Sequence, residues 1–202
     1  CVQSAPIGMA VGNRSSAGTI IVNGGTIVTK HQNYFGPVSY HADGIGDTQH
    51  GTGVIVKING GNVDTDFDRT RPKNDSTDVY RVKITLSGAG EGQEITSYTL
   101  FDGETVYLKD TKTLPNGELY LWLPPVQYQI ITSVHCGGQD YTGVVKAVNN
   151  DNDAQAVFKI GTTGTLTASM KAEHVQGVKL SQTTGLSADD TVYLSFGGAE
   201  SG

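Results

Sequence analysis

The sequence predicts an all-β protein, a short parallel β-helix segment followed by a β-sandwich. Three observations point there. The chain has 27 Gly among 202 residues and only 17% charged residues, below the usual quarter. Many Gly together with many Thr and Val suit short strands joined by tight turns. Next, one phrase is used twice: "IIVNGGTIVT" at residues 20–29 and "VKINGGNVDT" at residues 56–65. Finally, from residue 77 onward short alternating stretches are separated by turn signals. No stretch sustains a 3.6-residue period, and the best helical candidate, residues 169–176, is too short to make a stable helix.

The repeated phrase sets the first element. Aligning the Asn-Gly-Gly triplets pairs Asn23 with Asn59, Ile27 with Val63 and Thr29 with Thr65. Upstream, "APIG" (Ala5 to Gly8) resembles "DGIG" (Asp43 to Gly46). The unit therefore reads Ile-Gly corner, polar loop, strand, Asn-Gly-Gly turn, strand, and recurrence at such a period signals a solenoid. Val54, Val56 and Ile58 alternate with Ile55 and Lys57, as a strand requires. Asn-Gly tolerates positive φ, so the chain can turn sharply there. Ile27 and Val63 are expected to point inward, and Asn23 and Asn59 to stack as a ladder. A pair of hairpins with Asn-Gly turns is the other reading, and it predicts an antiparallel partner directly after each turn. Repeat folds generally need three or more units and caps. The two units thus call for further coils on the N-terminal side, or for a cap supplied by the following domain.

The expected organisation is residues 1–70 as the repeat segment, 77–160 as the sandwich, and 161–202 as strands that complete the sandwich or start another module. "DFDRTRPKNDSTD" (residues 66–78) reads as a polar connector. After it, Val82, Ile84 and Leu86 fall on one strand face, with Arg81, Lys83 and Thr85 on the other. Further strands are expected over residues 95–101, 105–109, 118–123, 126–134, 142–148 and 155–160, which gives the strand count and spacing of a sandwich.

Several functions are disfavoured by composition. The net charge is −6 and no Lys/Arg cluster exceeds two or three residues, so nucleic acid is not an expected partner. No apolar stretch approaches a membrane span. No nucleophile elbow, zinc-protease, P-loop or dinucleotide motif is present. His135 and Cys136 are sequence neighbours, and adjacent strand residues face opposite ways, so His135 is not placed to activate Cys136. The chain is not expected to be an enzyme. Cys1 and Cys136 are the only two cysteines. A Cys1–Cys136 disulfide suits a secreted protein, a lipid-anchored Cys1 is a second arrangement, and a buried Cys136 with a frayed Cys1 is a third.

Candidate binding residues remain. "HADGIGDTQH" gathers His41, Asp43, Asp47 and His50, but the spacing matches no zinc signature, and a solvated loop is the plainer reading. "DTDFD" (Asp64, Asp66, Asp68) and "NNDND" (Asp151, Asp153) offer alternating carboxylates of the kind that suit calcium, although inter-strand turns use the same residues. Tyr120 and Trp122 share one strand face, opposite Leu119, Leu121 and Leu123. They suit stacking on a sugar ring or burial in a core. "NYFGPVSYH" places Tyr34, Phe35, Tyr40 and His41 in a long insertion between the units. Insertions between coils commonly carry the binding face, which makes these four the first-choice ligand residues.

"GTGVIVKINGGNVDT" followed by "VYRVKITLSG", "GELYLWLPP" and "YTG" resembles the large secreted, often cell-wall-anchored surface proteins of Gram-positive gut bacteria that are labelled carbohydrate-binding-domain-containing. The resemblance covers residues 1–160 or so. It rests on Ala5 to Gly8, Asp43 to Gly46, the two Asn-Gly-Gly triplets and Leu119 to Pro124. It implies a right-handed β-helix, a following β-sandwich and an extracellular, cell-surface location. It also implies adhesion to a polysaccharide or a host glycoprotein, with host immunoglobulin as a further ligand class. The other functional readings are a structural spacer or self-assembling subunit that associates through open β-helix ends, and a polysaccharide lyase-like enzyme. For the enzyme, two coils leave little cleft.

Overall fold

The computed structural model describes residues 5–8, 18–29, 42–48, 53–67, 70–125, 130–148 and 154–161. They are all strand and turn, with a single 3-10 turn at Pro115–Gly117 and no α-helix among the described residues. In chain order the strands are β1 (Ile7–Gly8), β2 (Gly18–Val28), β3 (Ile45–Gly46), β4 (Val54–Asp64), β5 (Lys73–Asn74), β6 (Thr77–Asp78) and β7 (Tyr80–Leu86). There follow β8 (Glu94–Leu100), β9 (Thr105–Lys112), β10 (Glu118–Leu123), β11 (Ile130–Cys136), β12 (Gln139–Lys146) and β13 (Ala154–Ile160). The described residues up to Ile160 fall in one compact unit, and the strands expected over residues 161–202 lie outside the described residues.

The repeat units stack on each other in parallel. β1 pairs with β3, Ile7 opposite Ile45, and β2 pairs with β4, from Gly18 opposite Val54 to Val28 opposite Asp64. This overturns the hairpin reading, since each unit's partner is the other unit and not the segment after its own turn. The reason lies at the triplet. The chain bends there, and the register shifts between Val22, Asn23 and Thr26, without reversing direction. The expected ladder is present: Asn59 donates its side-chain amide to Asn23 Oδ1 at 2.9 Å. A second rung joins the Thr29 and Thr65 hydroxyls at 2.6 Å. Val22, Ile45, Val56, Ile58 and Val63 fill the interior of the stack.

The close approach of the two corners makes them unequal. Gly25 and Gly61 both have positive φ, +87° and +99°. A Cβ on Gly25 would meet open space, but one on Gly61 would sit 2.8 Å from Gly25 O and 2.9 Å from Gly24 C. Gly25→Ala is expected to cost only the left-handed strain, about 1–2 kcal/mol. Gly61→Ala adds overlap with the neighbouring backbone and should cost about 2–4 kcal/mol. Urea unfolding of the two variants checks this. Equal losses would mean that the turns are not stacked as described.

The expected connector contains a small hairpin. β5 and β6 pair around Asp75 and Ser76, and Lys73 lies opposite Lys57 of β4. β7 to β13 then form one seven-stranded sheet in the order β10-β7-β13-β12-β11-β8-β9. All its pairs are antiparallel except β13 with β7. The sheet curls until it is nearly closed. Its two edge strands, β9 and β10, are consecutive in the chain, and a bridge between Leu114 and Glu118 spans the seam. The expected face of Val82, Ile84 and Leu86 is fully buried, and so are Leu119, Ile131, Val134 and Phe158. The strand expected over residues 142–148 begins earlier, at Gln139, because Gly137 and Gly138 turn the chain directly into it.

The stack is joined to the seam of the sheet. The residue after each triplet does this. Thr26 Oγ1 accepts a hydrogen bond from Lys112 N at 2.8 Å and donates to Lys112 O at 3.1 Å. Asn62, at the matching position, is completely buried. Its amide donates to Lys112 O at 2.8 Å and to Glu118 O at 3.0 Å, while its Oδ1 accepts from Tyr120 N at 2.8 Å. One side chain thereby spans β9 and β10 where they do not pair along their length.

Candidate functional site

Strand alternation sends every second residue of β9, β8, β11 and β12 out of the core, and the register aligns these outward residues in rows. One row runs Tyr107, Ser97, His135, Asp140 across the four strands. Neighbouring strands lie about 4.8 Å apart, so the row spans about 14 Å. The adjacent row runs Thr105, Thr99, Ser133, Thr142 and, on β13, Lys159. The face therefore carries hydroxyls at regular spacing, with one aromatic ring at its rim. Tyr107 is 81% exposed. His135 Nδ1 lies 2.6 Å from Asp140 Oδ1, and both side chains reach solvent. That contact fixes the imidazole plane and leaves Nε2 directed away from the carboxylate.

Such a face can stack one flat apolar surface against Tyr107 and exchange hydrogen bonds beside it. Ser97 neighbours His135 in the row, but its hydroxyl makes no hydrogen bond to the imidazole among the described residues, and a triad needs that bond. Cys136 lies on the opposite, buried side of β11, its Sγ 3.8 Å from Gln93 Oε1. Burial pushes its thiol up from the ordinary cysteine range, which keeps it protonated and weakly nucleophilic. Cys136 is a free thiol, and Cys1, its partner in the expected disulfide, lies outside the described residues.

The residues singled out from sequence have varied positions. Tyr34, Phe35, Tyr40 and His41 lie outside the described residues. The stack holds both ends of their insertion. Thr29 N donates to Asp64 O at 2.9 Å, and Ala42 is buried at the return. Asp43 and Asp47 are buried, not solvated. Asp43 Oδ2 accepts from Thr70 N at 3.0 Å and Asp47 N at 3.3 Å, and Asp47 Oδ1 accepts from Val54 N at 3.1 Å. These carboxylates cap backbone donors at the Ile-Gly corner, which explains two acidic residues flanking it.

Asp64 and Asp66 face a cation that the chain supplies itself. Arg81 Nη1 is 3.6 Å from Asp64 Oδ1 and 3.4 Å from Asp66 Oδ1, and it also donates to Thr65 O at 3.3 Å. Asp68, Asp151 and Asp153, the other calcium candidates, lie outside the described residues. Among the described residues no group of three His, Cys, Asp or Glu side chains is gathered as a metal site.

Tyr120 and Trp122 do share a face, and that face is turned toward the repeat stack. Tyr120 is 8% exposed. Arg81 and Lys83 lie 5.7 and 5.5 Å from its ring centroid, and its hydroxyl donates to Glu118 Oε2 at 2.8 Å. Lys83 is held to Glu118 Oε1 at 2.7 Å, which raises its ammonium above the ordinary lysine value. Trp122 donates Nε1–H to Val63 O at 2.9 Å and meets Phe67 edge-on at 5.0 Å. Both rings are thus engaged within the protein.

Tyr107 and His135 were not among the ligand residues expected from sequence. The available signal was an aromatic ring in phase with Thr105 and Lys109, the polar side of its strand. Compared with protein-family models, curated proteins and solved structures, the chain matches none of them.

Proposed function

We propose that the chain is an extracellular module of a bacterial surface protein that binds polysaccharide, free or as the glycan of a host glycoprotein. In this reading the stacked units are turns of a short right-handed parallel β-helix. The nearly closed sheet is a β-sandwich-like domain that carries the binding face. The observation that supports it most is the outward row of Tyr107, Ser97, His135 and Asp140 beside a row of hydroxyls. A projecting ring next to paired polar groups suits a polyhydroxylated ligand, whose rings have an apolar face and a hydroxyl rim. The charges on the two rows, on Asp140 and Lys159, balance. That favours a neutral glycan over an acidic one.

A glycan array followed by calorimetry on the strongest neutral polysaccharide tests this. Tyr107→Ala is expected to weaken binding about tenfold or more, the loss typical of a central aromatic contact. His135→Ala should weaken it less. If Tyr34→Ala, Phe35→Ala and Tyr40→Ala together abolish binding while Tyr107→Ala leaves it intact, the ligand sits on the insertion between the units. Capture of immunoglobulin from host fluid that is indifferent to competing glycan would replace the polysaccharide reading with a protein ligand.

A further inference from the structure

The two stacked units are equivalent in sequence and register but not in burial. Ile45, Val56 and Val63 in the second unit are fully buried. Their in-register partners in the first are Ile7, 39% exposed, and Ile20 and Ile27, both half-buried. Val22 is buried in the first unit as Ile58 is in the second, so the apolar interior is less covered at the first unit at these three positions. β2 is also the edge strand of its sheet among the described residues. Its 11 residues, GTIIVNGGTIV, carry no charge. Exposed edges are ordinarily protected by lysine, proline or a bulge that turns the edge away; β2 has the bend at its triplet but neither lysine nor proline. Asn23 accepts the ladder hydrogen bond from Asn59, and its own amide hydrogens have no partner among the described residues.

The opposite side of the stack is occupied. β4 has β5 beside it and β10 packed against it, with Asn62 and Trp122 making the bonds described above. Among the described residues the two edges of this sheet are β2 and the two-residue β6, so β2, which meets β9 only through the side of its triplet and Thr26, is the long edge left for pairing.

We infer that two copies associate through β2, strand against strand and antiparallel about a two-fold axis. The sheet then continues from β4 through β2 to the partner's β2 and β4. The less covered positions, Ile7, Ile20 and Ile27, close on each other, and each Asn23 amide gains an acceptor across the axis. The absence of charge on β2 lets two copies of a net acidic chain meet there without repulsion at the contact. Because the patch is used by itself in both copies, the contact is isologous and closes as a dimer. An open stack would need a second free edge. The inference is independent of the glycan-binding reading, which concerns another face.

Sedimentation velocity of the full chain over a concentration series tests it. The expected mass is twice that of the monomer, with dissociation on dilution. Thr19→Lys combined with Ile21→Lys places charges on exposed positions of the edge strand. It should raise the dimer dissociation constant about tenfold or more without lowering the unfolding midpoint measured at dilutions where both proteins are monomeric. Ile55→Lys puts the same charge on an exposed position of β4, away from the edge, and should leave the dimer intact. Three outcomes would overturn the inference: a monomer at every concentration, assemblies that grow beyond the dimer, or a dimer equally sensitive to all these substitutions.

Discussion

Asn62→Ala is expected to lower the unfolding free energy by about 3–5 kcal/mol, a large part of the 5–15 kcal/mol that holds a typical domain together. The magnitude follows from its three bonds. Lys112 O keeps a second donor in Thr26 Oγ1, and Glu118 O keeps Leu114 N, so each carbonyl loses one of two partners. Each of those losses costs about 0.5–1.5 kcal/mol. Tyr120 N has only the Asn62 carbonyl oxygen to donate to at this seam, and leaving it buried and unpaired adds about 1–3 kcal/mol. Asn59→Ala removes an exposed ladder bond from the neighbouring triplet and should cost less than about 1 kcal/mol. Asn62→Asp should be worse than alanine at neutral pH, because a carboxylate oxygen would replace the donor that faces two carbonyls. Urea unfolding of the three variants measures the order. If Asn59→Ala matched Asn62→Ala, the seam would not depend on the buried amide.

Asn62 also shows what the sequence could not convey. The repeat made the stacking of Asn23 on Asn59 legible, since identical side chains at identical positions in successive units must meet if the units are parallel. It also set Ile27 and Val63 on the interior face. The core face of β7 was legible because period-2 alternation needs no knowledge of a partner. Asn62 looked like one more polar residue after a turn. Its role depends on the seam between β9 and β10, and no local pattern encodes how far a sheet closes. The same limit hid the candidate binding face. Tyr107 could be assigned to the polar side of its strand, but only cross-strand register places Ser97, His135 and Asp140 in line with it. Asp43 and Asp47 failed in the other direction. Local chemistry suggested a solvated corner, whereas backbone donors brought in by Thr70 and Val54 allow both carboxylates to be buried.

The contact between stack and sheet makes a second strong prediction. Trp122 packs on the side of β10 opposite the leucines that fill the main core, and it joins β10 to β4 through its bond to Val63 O and its edge contact with Phe67. Trp122→Ala is expected to cost about 3–4 kcal/mol, toward the lower end for a tryptophan truncation because the ring is half-buried. Trp122→Phe keeps an aromatic ring near Phe67 and loses the indole donor, so about 1–2 kcal/mol should be lost. The chain has a single Trp, so its fluorescence reports on this contact alone, while far-UV circular dichroism reports on all the strands. In the parent protein the two signals should unfold with one midpoint, since stack and sheet belong to one compact unit. Phe67→Ala retains the fluorophore but removes its partner. If the aromatic contact couples the stack to the sheet, the fluorescence midpoint should fall below the dichroism midpoint in that variant. Coincident midpoints in Phe67→Ala would assign the coupling to Asn62 and Thr26 instead, because their hydrogen bonds to the seam do not involve the aromatic pair.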